Sequence, residues 1–366
     1  MAKAKKKKKS SKDKALLDLA DSLRGMKVPV GNVTMGTDVA WADIKSRIHT
    51  GCTLIDGILG GHGLPRGRVT EILGSFAHGK SALAEYLMAN NQKDGGISVL
   101  ISSEGKFSKD RMAALGINLD ELLIIEVEDL TQGFLSIFGL LDRIERGDLK
   151  GTPICIVWDT VSNAPTVAEL ASIMEKTAEG AKKSKFKDGL ADRAREIRGK
   201  LRGLTNYIAQ TNCALIFVSQ TIARVGSLVR SSIPETPGGG GIKFLSSLRI
   251  LVKQIGRIKD DNTNMVEGID CQVEVVKSSV CAPFRKVVVP FYFDTGYDDD
   301  EACLAYLLDL PKDHANAICR QAGGWHYITK ADGGEIKYRK KKRKDTLDEG
   351  DLRAYVQRNV MEAMRG

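Results

Sequence analysis

The chain has 366 residues, 42% hydrophobic and 28% charged, an ordinary soluble balance with length for one large or two modest domains. It contains no apolar run long enough to span a bilayer, and the segment behind the basic N-terminus, ALLDLADSL, makes a poor signal peptide because Asp18 and Asp21 interrupt it. Of the net charge of +9, residues 1–14 carry +7 and residues 337–344 (KYRKKKRK) another +7, so the remainder is net −5 and the excess sits in two runs.

Seven cysteines, Cys52, Cys155, Cys213, Cys271, Cys281, Cys303 and Cys319, are scattered without metal-ligand spacing, which favours reduced core thiols and a cytoplasmic protein. Residues 1–12 are low-complexity and expected to be disordered; their lysines serve either solubility or polyanion binding. Residues 14–24 read as a short amphipathic helix with Leu16, Leu17, Leu19, Ala20 and Leu23 on one stripe. A helix this short needs a docking partner, either its own core or a neighbouring subunit. Residues 28–33 offer a strand-like piece.

From residue 52 to 293 strands and helices alternate. Strands are predicted at 69–73, 97–102, 122–127, 154–158 and 214–219, with helices at 81–90, 134–146 and 190–210. Near-continuous apolar strands between helices indicate a mostly parallel sheet covered on both faces. Three further strands, 248–254, 271–277 and 286–293, follow without helices and are predicted to extend the sheet as antiparallel edges. Beyond residue 298, helix-like DDDEACLAYLLDL and HANAICRQAG, a hairpin GGWHYITKADGGEIKY and a last helix, 351–364, suggest a small α+β unit. The expected divisions are 1–45, 46–298 and 299–366.

The strongest chemical signal is GSFAHGKS, set between the strand 69–73 and the helix 81–90. Gly74, Gly79, Lys80 and Ser81 fit the phosphate-loop pattern. Glycines let backbone N–H groups close around a triphosphate, Lys80 reaches the outer phosphates, and Ser81 places a hydroxyl on magnesium at a helix N-terminus. His78, a lone histidine, reads as spacer. Strand 154–158 ends in Asp159, placed to hold a magnesium water shell. Strand 97–102 delivers Glu104 to the same edge, where a carboxylate can deprotonate an attacking water, although a loop acid would look the same. Gln220 follows strand 214–219 and can bond a γ-phosphate. Next comes TIARVGSLVRSSIPETPGGGG, residues 221–241, a loop with no core pattern. Its Arg224, Val225, Gly226, Arg230, Gly238, Gly239 and Gly240 suit a nucleic acid backbone. Arg195, Arg198 and Arg202 share one helix face, and with the lysine-rich stretch 176–187 they point to DNA rather than to a merely solvated face.

Together these stretches resemble the RecA family of recombinases, including its phage UvsX-like branch. The likeness runs from HTGCTLIDGILGGHGLPRGRVTEILG through VLISSEGKF, ICIVWDT, the arginine-rich helix, ALIFVSQ, the glycine loop and VEVVKSSVCAPF to the hairpin with Trp325 and the last helix, covering residue 14 to the end. It implies a phosphate-loop ATPase core with a subunit-docking N-terminal helix. Gly74, Ser75, Phe76, Ala77, His78, Gly79, Lys80, Ser81 and Ala82 would hold ATP, and Ser81 and Asp159 would hold Mg2+. Glu104 would activate water, and Gln220 would couple the γ-phosphate to the second DNA loop. The loops 172–187 and 221–241 would hold single-stranded DNA. A neighbour's lysine pair would reach the phosphate; Lys277 matches the first, and Ser279 stands where the second is expected. Arg111 takes the place of the adenine-stacking aromatic, with Phe293 able to stack from across the interface.

The implied activity is that of a DNA-dependent ATPase that forms a helical filament on single-stranded DNA and pairs it with homologous duplex. A mediator and a single-strand-binding protein are expected partners, and a phage or divergent bacterial recombinase fits better than a housekeeping one. A hexameric helicase of the same core, or a weakly hydrolysing DNA-binding regulator, are the competing readings. The subunit-docking helix speaks against the first, and the intact set Lys80, Glu104 and Asp159 against the second.

Overall fold

The computed structural model describes residues 18–19, 21–22, 43–44, 46–105, 107–147, 149–171, 189–221, 236 and 240–365. The chain forms two compact units, residues 1–44 and 45–366. In the first, Asp18, Leu19, Asp21 and Ser22 are helical and exposed, within the predicted helix 14–24; the predicted strand 28–33 lies outside the described residues.

The second unit begins with a small ribbon, β1 (Arg47–Ile48) paired antiparallel to β2 (Leu64–Pro65), around α1 (Thr53–Ile58). Alternation of strand and helix then runs β3 (Arg68–Gly74), α2 (Lys80–Lys93), β4 (Ile97–Ser102), α3 (Lys109–Ala114), β5 (Leu122–Glu126), α4 (Leu130–Arg146), β6 (Ile154–Asp159), α5 (Gly189–Gln210) and β7 (Cys213–Gln220). After α6 (Gly240–Leu245) come β8 (Leu248–Lys259), β9 (Val266–Ser278), β10 (Lys286–Tyr292) and β11 (Gly296–Tyr297). These strands form one nine-stranded sheet in the order β11-β10-β9-β8-β3-β7-β6-β4-β5.

The strands are apolar throughout because their two faces are buried in different layers. In β6, Cys155 and Val157 belong to one cluster while Ile154, Ile156 and Trp158 belong to the other; in β7, Ala214, Ile216 and Val218 alternate the same way with Cys213, Leu215 and Phe217. Period-two alternation with both sets apolar is what a doubly covered parallel sheet requires. Helix α2 covers the first face. Helices α4 and α5 cover the second with Leu130, Phe134, Ile137, Leu141, Ile197, Leu201, Leu204 and Ile208, spacings that keep each set on one helical stripe. Asp129 starts α4 by accepting a hydrogen bond from the Gln132 backbone N–H at 2.9 Å. Phe134 meets Trp158 edge-on at 5.2 Å between centroids, which ties α4 to β6.

Three predicted features differ. Strand β8 runs parallel to β3, with Thr70 opposite Leu248, and only β9 to β11 are antiparallel. Residues 221–247 are long enough for a crossover, so β8 enters from the same end as β3. The helix-like HANAICRQAG instead yields strand β12 (Cys319–Ala322), because β13 (Trp325–Thr329) offers it an antiparallel edge, with Cys319 opposite Ile328. Pairing outweighs the local preference for helix. The predicted hairpin is β13 and β14 (Glu335–Tyr338). Gly240 and Gly241, assigned from sequence to the glycine loop, instead belong to α6.

Helices α7 (Asp299–Leu308), α8 (Arg343–Leu347) and α9 (Leu352–Arg365) follow the sheet. Leu304, Leu307, Leu347, Val356 and Val360 join the same buried cluster as α1 and α2. The basic run is less free than its composition implies. Arg343 pairs with Asp298 and Glu301, Lys340 with Glu301 and Lys344 with Asp298, while Lys337 and Arg339 lie 4.2 and 4.1 Å from the Trp325 ring centroid. All seven cysteines are free thiols, six of them buried. Among the described residues no helix is long and apolar enough to cross a membrane.

At the centre of the sheet lies a buried ion pair. Glu71 of β3 accepts from Arg249 of β8, both at most 1% exposed, and its other oxygen accepts from the Thr236 hydroxyl at 3.1 Å. Removing one partner strands a charge in the core, so Arg249→Leu is expected to destabilise the fold by about 3–5 kcal/mol in denaturant titration. The double variant Glu71→Leu/Arg249→Leu should recover most of that loss; equal destabilisation by single and double variants would contradict the ion-pair account.

Candidate nucleotide site at the carboxyl edge of the sheet

Strands β3, β4, β6 and β7 end side by side, and a cavity of about 600 Å³ opens there. The turn from β3 into α2 forms its floor. At Gly74 an added Cβ would stand 2.3 Å from the Val252 carbonyl oxygen, so no side chain fits. Gly79 takes φ +87° as N-cap of α2, a left-handed conformation that favours glycine. Between them Ala77 also has positive φ, +59°. This winding brings the loop back on itself, and Lys80 Nζ donates to the Ser75 carbonyl at 2.7 Å across the loop.

Of the residues anticipated from sequence, Phe76, Ala77, Lys80, Ser81, Glu104, Arg111, Asp159 and Gln220 line this one cavity. Gly74, Ser75, His78 and Gly79 complete the loop, and Ala82 is buried in the core behind it. The His78 carbonyl accepts from the Cys271 thiol at 3.7 Å, and burial and the nearby Lys80 lower the His78 pKa, as befits a neutral spacer.

The acids are held by neighbouring strand ends. Trp158 Nε1 donates to Ser103 Oγ at 2.7 Å, and Asn163 Nδ2 donates to a Glu104 carboxylate oxygen, which fixes Glu104 from the β6 side. Thr160 Oγ1 donates to the Val218 carbonyl at 2.7 Å, and Ser162 Oγ accepts from the Gln220 N–H at 3.0 Å, which aligns β6 with β7. Thr221 donates its N–H to the Gly74 carbonyl at 3.0 Å, and its hydroxyl lies 3.2 Å from Ser75 Oγ.

Burial dominates the electrostatics. It pushes the Asp159 carboxyl up, against the hydrogen bond from Ser81 and the charge of Lys80. It pulls the Lys80 ammonium down, against Asp159 and Glu104. The Ser81 hydroxyl and Asp159 carboxylate are hard oxygen donors in contact, which suits magnesium. Among the described residues no cluster of three or more His, Cys, Asp or Glu could hold a metal alone, so the remaining ligands would come from nucleotide and water.

Other anticipated residues lie elsewhere. Lys277, on β9, donates to the carbonyls of Lys243 and Phe244 at 2.8 Å each, and burial lowers its pKa. Phe293 follows β10 and is about half exposed. Arg195, Arg198 and Arg202 share the exposed face of α5, opposite Ile197, Leu201 and Leu204. Residues 172–187, Arg224, Val225, Gly226, Arg230, Gly238 and Gly239 lie outside the described residues. Sequence reasoning missed Glu85, Phe107, Ser108 and Met112 in the cavity wall, and Asn163 behind Glu104. Glu85 had a readable signal, since positions 80, 81, 84, 85 and 88 make one helical stripe.

A phosphate loop at the carboxyl edge of a largely parallel sheet, with a buried lysine facing two acids, defines a phosphate-loop nucleotide-binding α/β protein. The family model for the RecA N-terminal domain matches residues 29–298. Protein RecA of Chlorobaculum parvum is 34% identical over 292 residues, covering 80% of this chain and 76% of that protein. Protein RecA of Geobacter metallireducens is 33% identical over 292 residues, covering 80% and 78%. The chain belongs to the RecA family.

The depressed Lys80 pKa has a sign that can be tested. Burial disfavours the cation, which is lost as pH rises through a value below the usual lysine pKa. Affinity for a triphosphate should therefore begin to fall with rising pH before an ordinary lysine would titrate, and Lys80→Arg should flatten that fall. Competition titrations between pH 7 and 10.5 would measure both; a wild-type affinity flat up to the usual lysine pKa would rule the shift out.

Proposed function

We propose that the protein is an ATP-dependent recombinase: a DNA-dependent ATPase that forms a filament on single-stranded DNA and promotes homologous pairing and strand exchange. The observation that carries this is the meeting of Lys80, Ser81, Asp159, Glu104 and Gln220 in one cavity of a chain that belongs to the RecA family. On this reading residues 1–45 supply subunit docking, 46–298 the ATPase core and 299–366 a C-terminal domain with the basic hairpin. It works in the cytoplasm of a bacterial cell or phage-infected host.

Lys80 and the N–H groups of the loop bind the phosphates. Ser81 and Asp159 hold magnesium, which when bound neutralises charge developing on the phosphate oxygens. Glu104, oriented by Asn163, accepts the proton of the attacking water as it adds to the terminal phosphorus, and ADP leaves with the β-phosphate oxygen carrying the charge. Gln220 contacts the terminal phosphate at the end of β7. Thr221, bonded to the loop at Gly74, begins the segment 221–241 that holds DNA, so phosphate occupancy and DNA binding share one hinge. Lys277 and Phe293 act from a neighbouring subunit, so the Lys277 bonds to α6 must open on assembly. Arg195, Arg198 and Arg202 contact the DNA backbone, and base pairing supplies sequence recognition.

Glu104→Gln should slow hydrolysis about 10²-fold or more while ATP binding stays intact, and Lys80→Ala should abolish turnover. Normal hydrolysis by Glu104→Gln would remove Glu104 as the base. Binding to single-stranded DNA should weaken steeply with salt, and replacing Arg195, Arg198 and Arg202 by alanine should lower the log–log slope by about 2. An unchanged slope would take these arginines off the DNA, and duplex unwinding without strand pairing would replace the recombinase with a motor.

A further inference from the structure

Three charged side chains sit on neighbouring strands of the sheet: Glu71 on β3, Arg249 on β8 and Lys277 on β9. Arg249 stands opposite Lys277 in the antiparallel register while Ile250 already stands opposite Val275, so Val276 is the extra residue of a β-bulge. Such bulges re-aim the side chain beside them, which here is Lys277. Two cations set opposite each other repel. Burial lowers the Lys277 pKa, Arg249 adds to that effect, and Glu71 works against it. One buried carboxylate therefore balances both cations.

The same cluster grips the chain around the end of the segment 221–241 at two places. The buried Thr236 hydroxyl donates to Glu71 Oε1 at 3.1 Å, and Lys277 Nζ donates to the carbonyls of Lys243 and Phe244, near the end of α6, at 2.8 Å each. Helix α6 also fits closely on the arginine-bearing α5, since a Cβ added at Gly241 would stand 2.9 Å from Ile197 Cγ2 and 3.3 Å from the Arg198 backbone nitrogen. Glu71 spends one oxygen on Thr236 and the other on Arg249 Nε. Arg249 Nη2 is buried and has no partner among the described residues. That nitrogen lacks the oxygen that Thr236 occupies, whereas a guanidinium and a carboxylate pair best through two parallel bonds.

We propose that Glu71 is a positioning residue with two arrangements. In the one seen, it holds Thr236, and α6 keeps Lys277 within its own chain. In the other, DNA draws Thr236 away, Glu71 closes on two nitrogens of Arg249, and α6 shifts to release Lys277 toward a neighbouring copy's nucleotide. The inference rests on the proposed reading of residues 221–241 as holding DNA and of Lys277 as acting across subunits. The exchange is cheap because the buried carboxylate never loses a partner: one hydrogen bond is traded for another to the orphaned nitrogen.

The test measures phosphate release from magnesium ATP by the full chain, with and without a poly(dT) strand, and thermal melting of each variant. Thr236→Val, similar in shape but without the hydroxyl, should raise DNA-free turnover about fivefold and lower the stimulation ratio by a like factor, as expected for one lost hydrogen bond. Thr236→Ser should restore the wild-type ratio, and Thr236→Val/Lys277→Ala should lose the rise. Arg249→Lys keeps the cation but lacks the second nitrogen, so it should lower stimulated turnover several-fold with no rise in the absence of DNA. A fall of Thr236→Val turnover in both conditions with a lower melting temperature would make Thr236 a packing residue and overturn the proposal. A rise that survives Lys277→Ala would overturn the route through Lys277. Unchanged ratios in Thr236→Val, or an Arg249→Lys chain stimulated like wild type, would sink the exchange and leave the proposed function standing. A wild type whose hydrolysis ignores DNA would sink both.

Discussion

One buried ammonium group constrains the whole carboxyl edge of the sheet. Lys80 must keep its charge in a place where burial works against it, and the fold answers by setting Asp159 and Glu104 within electrostatic reach and the Ser75 carbonyl at 2.7 Å. The same burial raises the Asp159 pKa against the pull of Ser81, Lys80 and Arg111. The groups therefore depend on one another: each charge is tolerable because the others are there. A triphosphate with magnesium brings matching charges of both signs into this arrangement, and the cost of burying them unmatched is what complex formation relieves.

This mutual dependence demands precise strand alignment. Four strand ends deliver the residues, and they are tied laterally by side chains as well as by the ladder: Trp158 to Ser103, Asn163 to Glu104, Thr160 to the Val218 carbonyl, and Ser162 to the Gln220 N–H. Below this edge the strands are locked by cores on both faces, with Phe134, Trp158 and Phe217 clustered on one of them. A site built on such strands is held more firmly than one built on loops alone.

What could be read from the sequence divides along physical lines. GSFAHGKS was readable because its chemistry is local: glycines and a lysine act at fixed spacing along the chain. Asp159, Glu104 and Gln220 were readable because a parallel sheet collects the ends of its strands at one edge. The direction of β8 was not, since it depends on where a long connection re-enters the sheet. Nor was β12, whose local preference for helix yields to an edge that residues 325–329 supply. The Glu85–Arg111 pair and the Asn163 bond to Glu104 join residues 26 and 59 positions apart, and composition carries no trace of such contacts. The basic run 337–344 misled in the opposite sense, because Asp298 and Glu301 neutralise part of it only in the folded chain.

The bonds that strand β3 makes at its two ends of interest have a polymer consequence. Thr221 is attached at Gly74, and Thr236 is attached at Glu71, three residues earlier on the same strand. Three strand residues span about 10 Å. Thr221 and Thr236 are thus anchored at neighbouring points of a single strand. The entropy of bringing two such distant chain positions together is already met by the fold, and the strand that ends in the phosphate loop carries both anchors.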